Sequence, residues 1–285
     1  MAASTTEYYK GSQLGKKRLA LQNFHNWIKR ELINSVSREG AAYLDLSCGR
    51  GGDVNKWQDK KYSLIIGIDI AGKDLIKARD RAKMSKLDVT FLHGDFTKPI
   101  FPNMQAFFED SKQLAIQYFS VKHQFDIISC QFAIHYFFKD TLILRTFLLN
   151  VSENIKKGGH FIGTFFDGHR ILKAIEKDRI DIFSSTKLFE IKPISSSTIN
   201  SNGIICPGYE ISVYNTMYNN TVNEWLVDFD YLVEIAAEYG LKLVSLRTFE
   251  DYYKEYLSIL ELGNKRMSPP EKLFSFLCAS FDFIS

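Results

Sequence analysis

The chain has 285 residues, enough for one large domain or two small ones, and its 45% hydrophobic and 24% charged content is that of a globular protein, which excludes global disorder. With 36 Lys+Arg against 33 Asp+Glu the net charge is only +3, which excludes a protein that grips a long nucleic-acid backbone by bulk charge. The four cysteines, at 48, 130, 206 and 278, form no CxxC pair, so reduced thiols in an intracellular protein are expected and a structural metal site is not. The opening MAASTTEYYKG lacks the apolar core of a signal peptide, and no run of about 20 apolar residues is present to span a membrane.

Residues 1–20 are polar, with a basic cluster at Lys16, Lys17 and Arg18. Residues 21–35 carry apolar side chains at 21, 24, 27, 28 and 32, one stripe of an amphipathic helix. Residues 42–46 form a short apolar run ending in a Gly-rich turn and predict a buried strand; 63–70 predict a second. A short helix is expected at 53–58 between them and a charged one at 73–84. Further strands are expected at 89–92, 125–130 and 160–165, with helices at 104–119 and 141–154. This alternation over the first 170 residues predicts an α/β domain with a mostly parallel sheet. After Phe166 the rhythm changes. Residues 194–207 are Ser/Asn-rich and read as a loop, 208–218 as a strand, 232–239 as a helix stopped by Gly240, 241–246 as a strand and 251–262 as a helix. Residues 273–284 read as a closing strand or strand pair. The whole of 21–285 reads as one domain, with about 178–223 inserted as a lid.

The turn after the first strand reads DLSCGRGGD, from Asp45 to Asp53. Glycines at a strand-to-helix junction let a ligand approach the backbone closely. Asp69 ends the second strand, 18 residues after Gly51, where a carboxylate can accept from ribose hydroxyls. Asp95 follows the third strand, placed for an adenine amino group, though a turn-forming role is equally good for it alone. A dinucleotide fingerprint would need glycine at position 54, which is Val54. Asp45 and Asp53 would also repel a pyrophosphate, whereas they would favour an ammonium or sulfonium. The expected cofactor is therefore S-adenosylmethionine.

Three segments carry a more specific signal: NFHNWIK from Asn23, DLSCGRGGD, and SCQFAIHY from Ser129. With GGHFIGT from Gly158 and EWLV from Glu224, they resemble the mRNA cap (guanine-N7) methyltransferases from about residue 18 to the C-terminus, least well at 178–222. The resemblance implies a Rossmann-like class I S-adenosylmethionine-dependent methyltransferase fold, S-adenosylhomocysteine as product, and the capped 5' end of an mRNA (GpppN) as partner, with other capping-enzyme domains or a stimulatory subunit as further possible partners. It implies that Lys29, Gly49, Asp53, Asp69, Asp95 and Gln131 hold the methyl donor. It implies that Asn26, Arg50, Arg81, His135, Tyr136 and Glu224 line the cap side. Two departures stand out: Ser47 replaces a glycine, and Phe276 is the best-aligned match to a tyrosine beside the guanine, so a hydroxyl is lost there. The divergent 178–222 stretch favours the viral over the cellular type, with a cytoplasmic location if viral and a nuclear one if cellular.

Guanine N7 has a free lone pair and loses no proton on methylation, so no general base is needed. Positioning by His135, Tyr136 and Glu224 is the expected chemistry. His135 suits the guanine O6 acceptor, and Glu224 suits the adjacent N1–H and 2-amino donors. Arg50 and Arg81 offer forked donors to the triphosphate. Taken singly, each has an ordinary alternative: a core histidine, a wall tyrosine, surface arginines, a solvated glutamate after an Asn-rich turn. Two other functions compete: a methyltransferase of a tRNA base or small amine on the same sheet, and an inactive cofactor-binding subunit of a capping complex.

Overall fold

A computed structural model describes residues 19–176, 189–194, 199–200, 202–215, 220–259 and 266–285. The basic cluster at Lys16, Lys17 and Arg18 and much of the lid segment lie outside them. In chain order the described strands are β1 (Ala42–Leu46), β2 (Leu64–Asp69), β3 (Thr90–His93), β4 (Phe125–Gln131), β5 (Ile155–Phe166), β6 (Phe189–Pro193), β7 (Glu210–Asn215), β8 (Asn220–Trp225), β9 (Lys242–Thr248) and β10 (Cys278–Ile284). The described α-helices are α1 (Ala20–Val36), α2 (Val54–Trp57), α3 (Gly72–Met84), α4 (Glu109–Phe119), α5 (Thr141–Asn154), α6 (Gly168–Glu176), α7 (Phe229–Glu238), α8 (Phe249–Ile259) and α9 (Pro269–Ser275). A 3-10 helix covers Ile134–Lys139.

Seven strands form one sheet in the order β3-β2-β1-β4-β5-β10-β9. The first five run parallel, and β10 enters antiparallel between β5 and β9. β1 is central, and all five of its residues are buried. A parallel strand covered by helices on both faces is normally apolar throughout, and in β1 Asp45 is the one charged exception. The alternation of side chains then splits the core in two. Leu44, Leu46, Ile128 and Phe161 face Phe147 and Leu148 of α5 and Leu232 of α7. Tyr43, Ile127 and Ile162 face Leu32 and Ile33 of α1 and Leu75 and Ala78 of α3.

β6, β7 and β8 form a separate antiparallel sheet. A third apolar cluster joins it to the rest: Phe24 and Ile28 of α1, Phe249 and Tyr253 of α8, Phe274 of α9, Phe189 of β6 and Ile211 of β7. Phe189 stacks on Phe274 at 3.7 Å between ring centroids. Each large apolar side chain so buried is worth about 1.5–3 kcal/mol.

The expected helix over 104–119 begins only at Glu109. Met104 adopts a positive φ of 53°, and Asp95 N–H donates to the Ala106 carbonyl at 2.6 Å, so the preceding residues wrap round the end of β3 instead. The expected strand over 273–284 is a helix, α9, followed by β10. The helix signal was in the sequence: Ser268 and Glu271 form a reciprocal capping box around two prolines. Strands β6 and β8, helix α6 and the 3-10 helix have no counterpart in the sequence reading.

Candidate active site

The carboxyl ends of β1, β2 and β4 meet at the Gly-rich turn. Cys48 N–H bonds Ile68 O at 3.0 Å, which bends the chain out of β1 towards the end of β2. Gly49 N–H then donates to Asp69 Oδ2 at 2.7 Å, and Ala71 N–H donates to Asp69 Oδ1 at 2.8 Å. The Asp69 carboxylate is thereby fixed flat against the turn. Each of its oxygens retains a lone pair for a ribose hydroxyl. Gly51 closes the turn on α3: a Cβ there would lie 3.0 Å from the Ala78 Cα, and its φ of +68° is left-handed. Ser47 is also left-handed, at φ +60°, so this position carries the strain a glycine would avoid.

A second group of charges lies behind the turn. Lys29 of α1 and Lys56 of α2 place their ammoniums 2.6 Å and 2.7 Å from the same Asp53 oxygen. Burial opposes the charge on Asp53, but the two ammoniums outweigh it and hold the carboxyl down at about 2. Asp45 lies beside them, fully enclosed, with its Oδ2 lacking any hydrogen-bond partner. Burial first, and then the negative charge of Asp53, push the Asp45 carboxyl up. An unsatisfied buried carboxyl is costly unless a ligand completes it. A cationic ligand with one ammonium and one carboxylate matches this mixture of Asp45, Asp53 and Lys29.

Gln131 ends β4 with both ends of its amide held, Nε2 donating to Ser129 Oγ and Oε1 accepting from Thr164 Oγ1, each at 3.0 Å. Asp95 is engaged in a turn, its Oδ1 accepting from Thr97 N–H at 3.0 Å and from Thr97 Oγ1 at 2.7 Å. It also lines a small cleft with Lys98, Gln105, Ala106, Phe107 and Phe108. Both roles considered for it from sequence are therefore compatible with its place.

On the other side of β4, the 3-10 helix presents His135 and Tyr136. β8 brings Glu224 to them, its Oε1 3.6 Å from His135 Nε2. Both side chains are buried, and both His135 ring nitrogens lack a hydrogen-bond partner. Burial pushes the Glu224 carboxyl up to about 8 and the His135 imidazole down to about 3. Glu224 is thus not the solvated residue that its Asn-rich turn allowed. Its register opposite Ile211 turns it inward.

The arginines sit apart from one another. Arg50 is held by Asp74 of α3, its Nε donating at 2.8 Å. Arg81 is exposed in the last turn of the same helix. It continues the stripe of Asp74 and Ala78 along that helix, about 10 Å beyond Asp74. Asn26 has both amide ends occupied: Nδ2 donates to Gln22 O at 2.7 Å and Oδ1 accepts from Lys56 at 2.9 Å. Phe276 caps α9 with its ring 5.6 Å from Tyr253, whose buried hydroxyl has no partner. Lys56 is the site residue that sequence reasoning missed. Its signal, three residues after Asp53 on a short helix, was visible but looked like a solvated lysine.

Against known proteins, residues 5–271 match the family model described as the mRNA (guanine-N(7))-methyltransferase domain. The chain belongs to this family. It is 33% identical over 247 residues to the mRNA cap guanine-N(7) methyltransferase of Saccharomyces cerevisiae, covering 82% of this chain and 53% of that protein. It is 30% identical to the mRNA cap guanine-N(7) methyltransferase 1 of Arabidopsis thaliana, over 83% of this chain and 63% of that protein. It is 32% identical to the “Probable mRNA-capping enzyme” of Acanthamoeba polyphaga mimivirus, over 83% of this chain and 22% of that protein. The chain therefore spans less than two thirds of each of these relatives. An S-adenosylmethionine-dependent methyltransferase from Mesorhizobium loti superposes with TM-score 0.56 at 15% identity, covering 93% of this chain and all, 100%, of that one. A Pyrococcus horikoshii protein superposes with TM-score 0.54 at 18% identity, covering 92% of each chain. The fold of this cap-methyltransferase family member is thus the Rossmann-like methyltransferase fold expected. Among the described residues no helix is long and apolar enough to cross a membrane. Nor does any cluster of three His, Cys, Asp or Glu there suit a metal ion.

Proposed function

We propose that this chain transfers the methyl group of S-adenosylmethionine to N7 of the terminal guanine of GpppN-capped mRNA. The observation that carries the proposal is the buried pair of His135 and Glu224, with His135 just after β4, the strand that pairs with β1 and its Gly-rich turn. When bound, the donor supplies an electrophilic methyl on a sulfonium. The residues proposed to hold it are Lys29, Gly49, Asp53, Asp69, Asp95 and Gln131. Those proposed for the cap are Asn26, Arg50, Arg81, His135, Tyr136, Glu224 and Phe276.

The chemistry asked of the protein is orientation. N7 needs no deprotonation, and holding a nucleophile in line can lower a barrier by roughly 7–11 kcal/mol. His135 is a neutral imidazole that can donate to O6. Glu224, once ionised, accepts from N1–H and the 2-amino group together, leaving N7 uncovered. Methylation leaves positive charge on the purine, which the same carboxylate stabilises. A separated pair of arginines suits a triphosphate bridge better than a single phosphate. The segment from 178 to 223, with β6 to β8, is proposed as the lid over the guanine.

The test is transfer of labelled methyl from S-adenosylmethionine to GpppA or GpppG, with ATP and GTP as controls. Labelled N7-methylguanosine from the capped dinucleotides alone is expected. Equal labelling of all four acceptors, or of a small amine, would point to a different methyltransferase.

A further inference from the structure

Lys56 is a cation that almost no water reaches, its side chain 4% exposed. Its Nζ forms an ion pair with Asp53 Oδ1 at 2.7 Å and donates to Asn26 Oδ1 at 2.9 Å and to Gly52 O at 3.1 Å. These three oxygens come from the start of α2, from α1 and from the Gly-rich turn. Asn26 and Lys29 lie one helical turn apart on α1, and Lys29 holds the same oxygen of Asp53. Lys29, Asp53, Lys56 and Asn26 therefore close a circuit that begins and ends on α1. The Asn26 amide cannot turn over within it, because its nitrogen is taken by Gln22 O and its oxygen by Lys56. A bare Asn26 has two amide orientations of opposite polarity. Lys56 selects one.

We infer that Lys56 is a positioning residue that couples the two substrate sites, acting on the methyl donor through Asp53 and on the cap through Asn26. The inference rests on the cap-methyltransferase reading for the identity of the ligands, but the circuit itself is independent of it. Lys29 and Asp53 stand at the donor side and Asn26 at the cap side. Lys56 is the one described side chain bonded to both Asp53 and Asn26. Replacing it with methionine removes the charge while keeping the length. Asp53 still has Lys29, so no buried carboxylate is stranded by the change.

The experiment is a double-mutant cycle of K56M and N26A, read by calorimetric dissociation constants for S-adenosylhomocysteine and GpppG and by steady-state methyl transfer. K56M should weaken both ligands, each by about tenfold, the size usual for neighbours in one hydrogen-bond network. N26A should weaken GpppG alone. The double variant should bind GpppG no worse than N26A does, because Lys56 works through Asn26. Multiplication of the two single effects on GpppG, or a K56M effect on one ligand only, overturns the inference. If K56M melts early by circular dichroism, K56Q takes its place, since its amide can still donate to two of the three acceptors. Its cycle with N26A is then expected to show a weaker version of the same non-additivity. A wild type that binds both ligands and yields no N7-methylguanosine refutes the proposed function while the binding cycle still decides the role of Lys56. A wild type that binds neither ligand overturns both.

Discussion

Glu224 holds a proton to about pH 8 in the folded chain, against an ordinary value of 4.5. The unfolded chain loses that proton first, so between pH 4.5 and 8 the folded state binds more protons and stability falls as pH rises. Below about pH 6.5 the buried His135 and His25 oppose this, because each is held down at about 3 in the folded chain while the unfolded ring takes a proton below 6.5, so the fall due to Glu224 stands clear only above about pH 6.5. E224Q should therefore flatten the fall in denaturation midpoint between pH 6.5 and pH 8; an unchanged slope there would rule out the buried acid. The proposed guanine contact runs the other way: if Glu224 accepts from the guanine donors, it must be ionised, so the GpppG association constant should rise by up to about tenfold per pH unit from pH 6 towards 8 and then level. Calorimetry of E224Q should show weak, pH-independent binding. Ser47 makes a separate prediction at this scale. Its left-handed φ of +60° costs about 1–2 kcal/mol for a side chain with a Cβ, partly offset by the chain entropy that glycine loses on folding. S47G should thus stabilise the protein by about 0.5–1 kcal/mol in urea denaturation. A destabilisation would mean that the hydroxyl matters more than the backbone.

At the scale of elements, short helices hold much of the site. α9 spans only seven residues, yet its last residue, Ser275, and its C-cap, Phe276, touch His25 and Tyr253. A helix this short is not stable by propensity alone. It depends on its capping box and on Glu271, whose Oε2 accepts from Ser268 N–H at 2.8 Å and whose Oε1 accepts from Leu21 N–H at 3.2 Å. One carboxylate thereby starts α9 and ties it to the first turn of α1. S268A should cost about 1 kcal/mol of stability, the usual value of a lost N-cap, in a denaturant titration. A cost near zero would show that Glu271 suffices alone. The sequence reading took this region for strand because the alternation of Phe and polar residues from Phe274 onward dominates the pattern. The Ser-Pro-Pro-Glu start was legible, but its weight was not. Of the first-half helices, α1, α2, α3 and α5 are legible to within a residue or two, because long amphipathic stripes such as Leu21, Phe24, Ile28 and Leu32 leave little choice of face, whereas the start of α4 and the 3-10 helix are not.

For the whole molecule, a net charge of +3 and the two separated arginines proposed for the triphosphate predict weak salt dependence. If two phosphate contacts carry the electrostatics, the logarithm of the GpppG association constant should fall with slope about −1.4 against the logarithm of salt concentration. A long capped RNA should share that slope. A slope steeper than about −4 for the long RNA would reveal an extended backbone track instead. The sequence by itself determined the parallel sheet, because alternating buried strands and amphipathic helices have few other packings, and it determined that the residues proposed for the donor gather at one place. Gly49, Asp53 and Asp69 lie within about 20 residues on consecutive elements, so local connectivity alone brings them together. Only the tertiary structure decided the rest. His135 and Glu224 are 89 positions apart in the chain. Their meeting depends on β8 folding back on the 3-10 helix, and burial rather than residue type sets the proton on each. Lys56 looks like a surface lysine until α1 lays Asn26 and Lys29 across it. Long-range packing fixes dielectric and partners, and neither can be read from the order of residues.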